Sequence, residues 1–100
     1  MEKRKAHYSL ATVRRLIAEG RVSFTMSAVA GGAAMGFAAE GMLDVVSSLS
    51  NGNLYKSMTS HADHKSWHDV YHADTDRGVT YLKLTVVEDL LIVSFKEKDE

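Results

Sequence analysis

The spacing of apolar residues changes near residue 53, and that change limits the fold more than any other feature. Before it, apolar side chains recur every three or four residues. Leu10, Val13, Leu16 and Ile17 make one such stripe, and Met42, Val45, Val46 and Leu49 make another. This is the period of a helix that buries one face. After it, apolar and polar residues alternate, which is the period of a half-buried strand. Helices first and strands afterwards indicate an α+β domain, with two to three N-terminal helices packed on one face of an antiparallel β-sheet.

Local signals mark the boundaries. A first helix is expected over 9–20, with Ser9 as N-cap and Gly20 as the residue that ends it. The segment Val22–Thr25 is too short to assign. A second helix starts after Thr25 or Ser27 and ends near Gly36, weakened by Gly31 and Gly32. A third covers Glu40–Leu49, followed by a Ser50-Asn51-Gly52-Asn53 loop. Strands are expected at Leu54–Ser60, Trp67–Ala73, Val79–Val87 and Leu90–Lys96. A polar loop, His61–Ser66, separates the first two, and Asp74–Gly78 is read as a turn.

One hundred residues with 45% apolar and 25% charged side chains suit a single soluble domain spanning 1–100. The absence of cysteine removes disulfide scaffolds, cysteine-based zinc fingers and thiol nucleophiles. The uncharged stretch from Val22 to Ala39 contains Gly32-x-x-x-Gly36, but its serine, threonine, glycine and alanine content is too weakly apolar for a membrane span. The basic start at Lys3, Arg4 and Lys5 is not followed by the apolar run of a signal peptide, so the cytoplasm is the expected compartment, with no membrane partner.

The last two strands allow a register to be written. If Glu88-Asp89 is a two-residue loop, Tyr81 pairs with Lys96 and Lys83 with Ser94. Leu82 then faces Phe95, Leu84 faces Val93 and Val86 faces Leu91, so the apolar pairs share one face. Tyr81 and Lys96 become direct neighbours on the other face, with Cβ atoms about 4.5–5.5 Å apart. Taken alone, such a pair reads first as a solvated cross-strand contact and only second as part of a site.

Four of the five histidines lie close together at His61, His64, His68 and His72. Imidazoles at this density suit a metal site, acid–base chemistry near neutral pH, or a solvated surface. The residues alone leave these three readings open. A strand over 67–73 would put His68 and His72 on the same face.

Several segments together resemble the motility quorum-sensing regulator family of bacterial toxins. They are Leu54-Tyr55-Lys56-Ser57-Met58-Thr59, Asp63-His64, Trp67-His68-Asp69-Val70-Tyr71, Tyr81-Leu82-Lys83 and Leu91-Ile92-Val93-Ser94-Phe95-Lys96-Glu97-Lys98. The opening Met1-Glu2-Lys3-Arg4 with His7, and Gly41-Met42, also look like that family, and the likeness covers essentially the whole chain without a gap. The resemblance implies a RelE-like fold and a type II toxin–antitoxin role. The implied activity is ribosome-independent cleavage of single-stranded mRNA at GC-containing, GCU-like sites, leading to growth arrest, with links to persistence and biofilm. It implies no cofactor, and a partner antitoxin of the MqsA type carrying zinc-binding and helix-turn-helix domains.

By resemblance, Lys56, Tyr81 and Lys96 match the family's active-site positions. The fourth position is normally glutamine and here is His68. Tyr55 and Met58 also match positions near the site. Metal-independent RNA cleavage needs 2′-hydroxyl deprotonation, charge stabilisation at phosphorus and protonation of the leaving 5′-oxygen. Lys56 and Lys96 suit the charge, Tyr81 a hydrogen bond or proton, and His68 a proton transfer that glutamine cannot perform. Tyr55, Trp67 and Tyr71 are candidates for stacking on bases, with Trp67 also reading as a core residue of its strand, and Lys65, Arg77 and Lys83 are candidates for holding flanking phosphates. A histidine-cluster metal module and a non-catalytic regulatory binding protein remain the alternatives.

The net charge of −1 gives no bulk attraction for nucleic acid. It sums a half at +2, from six basic and four acidic residues in 1–50, and a half at −3, from six and nine in 51–100. The expected site residues lie in the acidic half, so any phosphate binding must come from a local cluster.

Overall fold

The computed structural model describes residues 1–60 and 65–99. His61, Asp63 and His64, with most of the expected loop, lie outside the described residues. Helix α1 spans Leu10–Ala18, and the Ser9 hydroxyl accepts a hydrogen bond from the Thr12 amide at 3.1 Å. Its face of Leu10, Val13 and Leu16 is buried. The chain leaves through Gly20, whose φ of +72° favours glycine. Helix α2 spans Met26–Ala34 and helix α3 spans Ala39–Ser47. Met42, Val46 and Leu49 turn inward, as the helical spacing predicted. No single helix among the described residues is long and apolar enough to cross a membrane.

The strands are β1 (Glu2–Lys3), β2 (Val22–Phe24), β3 (Leu54–Thr59), β4 (Trp67–Thr75), β5 (Gly78–Val87) and β6 (Asp89–Glu97). They form one six-stranded sheet in the order β1-β3-β4-β5-β6-β2. All neighbours are antiparallel except β2, which pairs parallel with β6. The fold is therefore α+β with a mostly antiparallel sheet. Two short edge strands were not anticipated: β1, and the unassigned segment that becomes β2. Two- and three-residue strands carry too little pattern to read alone. The expected turn also shortens, because β4 runs to Thr75 and β5 begins at Gly78.

The helices cover one face of this sheet. Leu10, Val13, Leu16, Ala28, Met42 and Val46 pack with Tyr71, Leu82, Leu84, Leu90, Ile92 and Phe95 in one core. Helix α2 approaches β6 most closely. A Cβ on Gly31 would stand 2.1 Å from the Phe95 carbonyl oxygen, so only glycine permits this approach.

The β5–β6 register agrees with expectation at one end and departs from it at the other. Tyr81 pairs with Lys96, Leu82 with Phe95 and Lys83 with Ser94. Nearer the turn, Leu84 pairs with Ile92 rather than Val93, and Val86 with Leu90 rather than Leu91. The turn is one residue shorter than assumed, because Val87 pairs with Asp89 and Glu88 alone bridges them, at φ 66°. A register shift between Lys83 and Leu84 leaves Val93 as the extra residue on β6. The two departures cancel beyond the bulge. Leu90 and Ile92, not Leu91 and Val93, therefore enter the core. Thr25 supports the bulge from α2: its hydroxyl donates to the Val93 carbonyl at 2.7 Å, and its amide to that of Ile92 at 3.1 Å.

Candidate active site

The sheet face opposite the helices carries the candidate residues, and strand pairing arranges them in rows. The β4–β5 register sets His72 against Tyr81 and Val70 against Lys83. The β5–β6 register continues these rows to Lys96 and Ser94. On β3, Lys56 pairs with Val70 and Met58 with His68. A register shift between Leu54 and Lys56 leaves Tyr55 unpaired as a bulge residue. Its freed ring stacks on His72 at 4.5 Å with a 19° interplanar angle. One row is thus Tyr55, His72, Tyr81 and Lys96. The next is Lys56, Val70, Lys83 and Ser94. Met58 and His68 lie in a third, with rows spaced by about 7 Å.

Within this frame the side chains converge. The Lys96 ammonium lies 5.3 Å from the Tyr81 ring centroid, and the Lys56 ammonium 5.3 Å from that of Tyr55. His72 and Tyr81 have ring centroids 5.9 Å apart. Tyr55, His72, Tyr81 and Lys96 line an open cavity of about 400 Å3, whose rim is completed by Glu97, Lys98 and Asp99.

The electrostatics follow from three lysines on one face. Burial lowers the Lys83 pKa, and the neighbouring Lys96 and Lys56 charges lower it further. Lys56 is pushed the other way. Its hydrogen-bonded ion pair with Glu2, on the neighbouring β1, holds its pKa above the usual lysine value. Burial and then Lys83 depress the His68 pKa, opposed by Asp69. Burial, with Lys98, depresses that of His72. This face can therefore collect negative charge from a phosphodiester, beside the Tyr81 phenol and two imidazoles whose surroundings favour the neutral form.

The expected residues separate. Tyr55, Lys56, Met58, His68, Tyr81, Lys83 and Lys96 all fall on this face. Arg77 does not. It sits in the β4–β5 turn with its guanidinium carbon 5.7 Å from the Phe37 ring centroid, and Phe37 packs edge-on against the core residue Phe95. Arg77 therefore serves the helix side. Tyr71 is a correction as well: it has the parity of Leu82, is fully buried and cannot stack on a base. Burial pushes its phenol pKa up to about 12. The Trp67 ring is already occupied, stacked with His7 at 5.3 Å and capped by the Lys3 ammonium at 4.2 Å.

Two residues escaped the sequence reading. His72 was seen only as part of a histidine cluster, and its place beside Tyr81 needed the β4–β5 register. Asp69 is buried at 0% exposure. Its carboxylate accepts hydrogen bonds from the His7 and Tyr8 amides at 2.9–3.1 Å, tying the N-terminal segment to the sheet. Its signal was a lone acid inside a strand rich in aromatic and β-branched residues. Among the described residues, no three histidine, aspartate or glutamate side chains converge as a metal site requires.

Comparison with known proteins points the same way. The profile of a family described as "Motility quorum-sensing regulator, toxin of MqsA" matches residues 5–97. The chain is also similar to the mRNA interferase toxin MqsR of Escherichia coli (strain K12). The two are 46% identical over 98 residues, which span 98% of this chain and all of that protein.

Proposed function

This chain belongs to the motility quorum-sensing regulator family of toxins, and from that premise we propose that it is a toxin endoribonuclease acting on single-stranded mRNA. The observation that carries the site assignment is the clustering of Lys56, Lys83 and Lys96 around Tyr81 on one sheet face. An mRNA substrate places the work in the cytoplasm, and GC-containing, GCU-like sequences are the proposed cleavage sites.

The roles follow from position. Lys96 holds the non-bridging oxygens of the scissile phosphate, and its paired neighbour Tyr81 turns its phenolic O–H toward the departing 5′-oxygen. Lys56 adds a second cation from β3 once phosphate displaces Glu2. Preorganised cations and donors of this kind stabilise charge that develops at phosphorus. Lys83 supports the adjacent phosphate. Tyr55, exposed at the bulge, offers a face for a base to stack on. His68 lies two rows from Tyr81, roughly 13 Å along the strand from His72, so it contacts a flanking nucleotide with Met58 rather than the reacting phosphate.

Attack by the 2′-hydroxyl leaves a 2′,3′-cyclic phosphate and a 5′-hydroxyl, and the residues assigned require no metal. The test is cleavage of a single-stranded RNA in EDTA by the native chain and by Lys56→Ala and Tyr81→Ala. Native activity is expected, with both variants slowed at least about 100-fold. Abolition by EDTA would overturn the metal-independent scheme. The partner is proposed to be an MqsA-type antitoxin with zinc-binding and helix-turn-helix domains.

A further inference from the structure

We propose that His72, not His68, takes the proton from the attacking 2′-hydroxyl, with the Tyr55 ring holding its imidazole in place. This rests on the ribonuclease reading and adds a residue to it.

Three observations converge on His72. It is the direct cross-strand partner of Tyr81, so a phosphate held by Lys96 beside Tyr81 has the His72 ring as its next neighbour. Its ring lines the same cavity as Tyr81 and Lys96, whereas His68 lines none of it. The bulge at Tyr55 lays a second ring flat against the imidazole at 4.5 Å. A base must sit within hydrogen-bond reach of the proton it removes, and a clamped ring loses little freedom on doing so.

The surroundings suit an acceptor. The cavity at His72 is lined by Tyr55 from β3, Tyr81 from β5, Lys96 and Glu97 from β6, and Lys98 and Asp99 beyond it, with the Glu97 carboxylate turned toward Gly78. Burial and the Lys98 charge favour the neutral ring, which is the form able to accept a proton near neutral pH.

The step balances. The 2′-oxygen attacks phosphorus, forming the O2′–P bond, while its proton passes to a ring nitrogen of His72. The P–O5′ bond breaks, and the departing 5′-oxygen takes the phenolic proton of Tyr81. The imidazolium returns its proton to the Tyr81 phenolate through water, restoring both groups.

The test compares pH–rate profiles of kcat on a single-stranded RNA for the native chain, His72→Gln, His72→Phe and His68→Gln. Binding of a 2′-deoxy, uncleavable version of that RNA checks that each variant is folded. The native profile is expected to fall on its acid limb as the imidazole protonates. Both His72 variants should lose about 100-fold or more in kcat and lose that limb, while still binding the deoxy analogue. His68→Gln should keep the limb. A His72→Phe enzyme with native kcat would reduce His72 to a stacking surface and overturn the proposal. So would an acid limb that persists in His72→Gln. A native chain that cleaves no RNA overturns the ribonuclease reading itself. Native cleavage with unaffected His72 variants overturns this inference alone.

Discussion

Glu2 and Lys56 form an ion pair between neighbouring strands at the edge of the candidate site. The Glu2 carboxylate is held below its usual pKa mainly by the Lys56 hydrogen bond, which favours its ionised form. It occupies the ammonium that an RNA phosphate would need. Glu2→Gln is therefore expected to tighten binding of single-stranded RNA by about two- to fivefold at low salt, the range of an exposed ion pair. The gain should shrink as salt screens the charges. Affinities at two ionic strengths check this, and weaker binding by Glu2→Gln would mean that Glu2 positions Lys56 rather than competing for it.

Asp69 should matter more to stability than any residue of the open face. Three hydrogen bonds from two backbone amides end on its buried carboxylate. Asp69→Ala strands those donors and is expected to cost about 3 kcal/mol. For a domain of this size that lowers Tm by at least about 12 °C. Thermal unfolding followed by circular dichroism measures it, and a change below a few degrees would show that the N-terminal segment is held by other contacts.

Adjacent glycines in α2 should respond differently to alanine. Helix propensity alone favours alanine by about 1 kcal/mol at each. At Gly31 the new Cβ meets the Phe95 carbonyl oxygen at 2.1 Å, backbone that cannot move without disturbing β6. At Gly32 it meets the Met42 sulfur at 2.1 Å, part of a flexible side chain. Gly31→Ala is expected to destabilise by about 1–3 kcal/mol, and Gly32→Ala by less. Urea midpoints of the two variants give the order, and the reverse order would contradict this packing.

Stability should fall on mild acidification. The folded state holds the pKa values of His68 and His72 below the usual 6.5. The unfolded chain therefore binds protons first. The stabilisation is complete above about pH 6.5 and is lost as pH falls through the lower folded values. Urea midpoints at pH 8, 7, 6 and 5.5 should decline over the last steps. His68→Gln should decline less, and an unchanged slope would remove His68 as a source.

Much of this architecture was legible because burial is periodic. Two helical stripes located the first and third helices, boundary residues at Thr25 and Gly36 located the second, and the alternation after residue 53 located four strands. The Tyr81–Lys96 pairing followed from side-chain parity together with an assumed turn. What parity cannot reveal is a compensated error, and the β5–β6 hairpin contains one in its short turn at Glu88 and its bulge at Val93. Arg77 could not be given a face because a turn residue carries no parity, and its direction is decided by Phe37. Tyr71 looked available because a tyrosine reads as amphipathic until its strand register is known. His72 lay hidden among other histidines, since its identity as Tyr81's neighbour depends on β4, where no apolar alternation fixes the register.

The extra residue at Val93 makes the site sensitive to chain length in a way composition does not show. Everything from Ser94 onward takes its side of the sheet from that one insertion. Removing a single residue between Asp89 and Val93 would exchange inside for outside, driving the Lys96 ammonium toward the helices and the Phe95 ring into water. Many side chains in this hairpin can be exchanged for others of similar character. The number of residues between the turn and Lys96 cannot change, so the hairpin tolerates rewriting far better than it tolerates deletion.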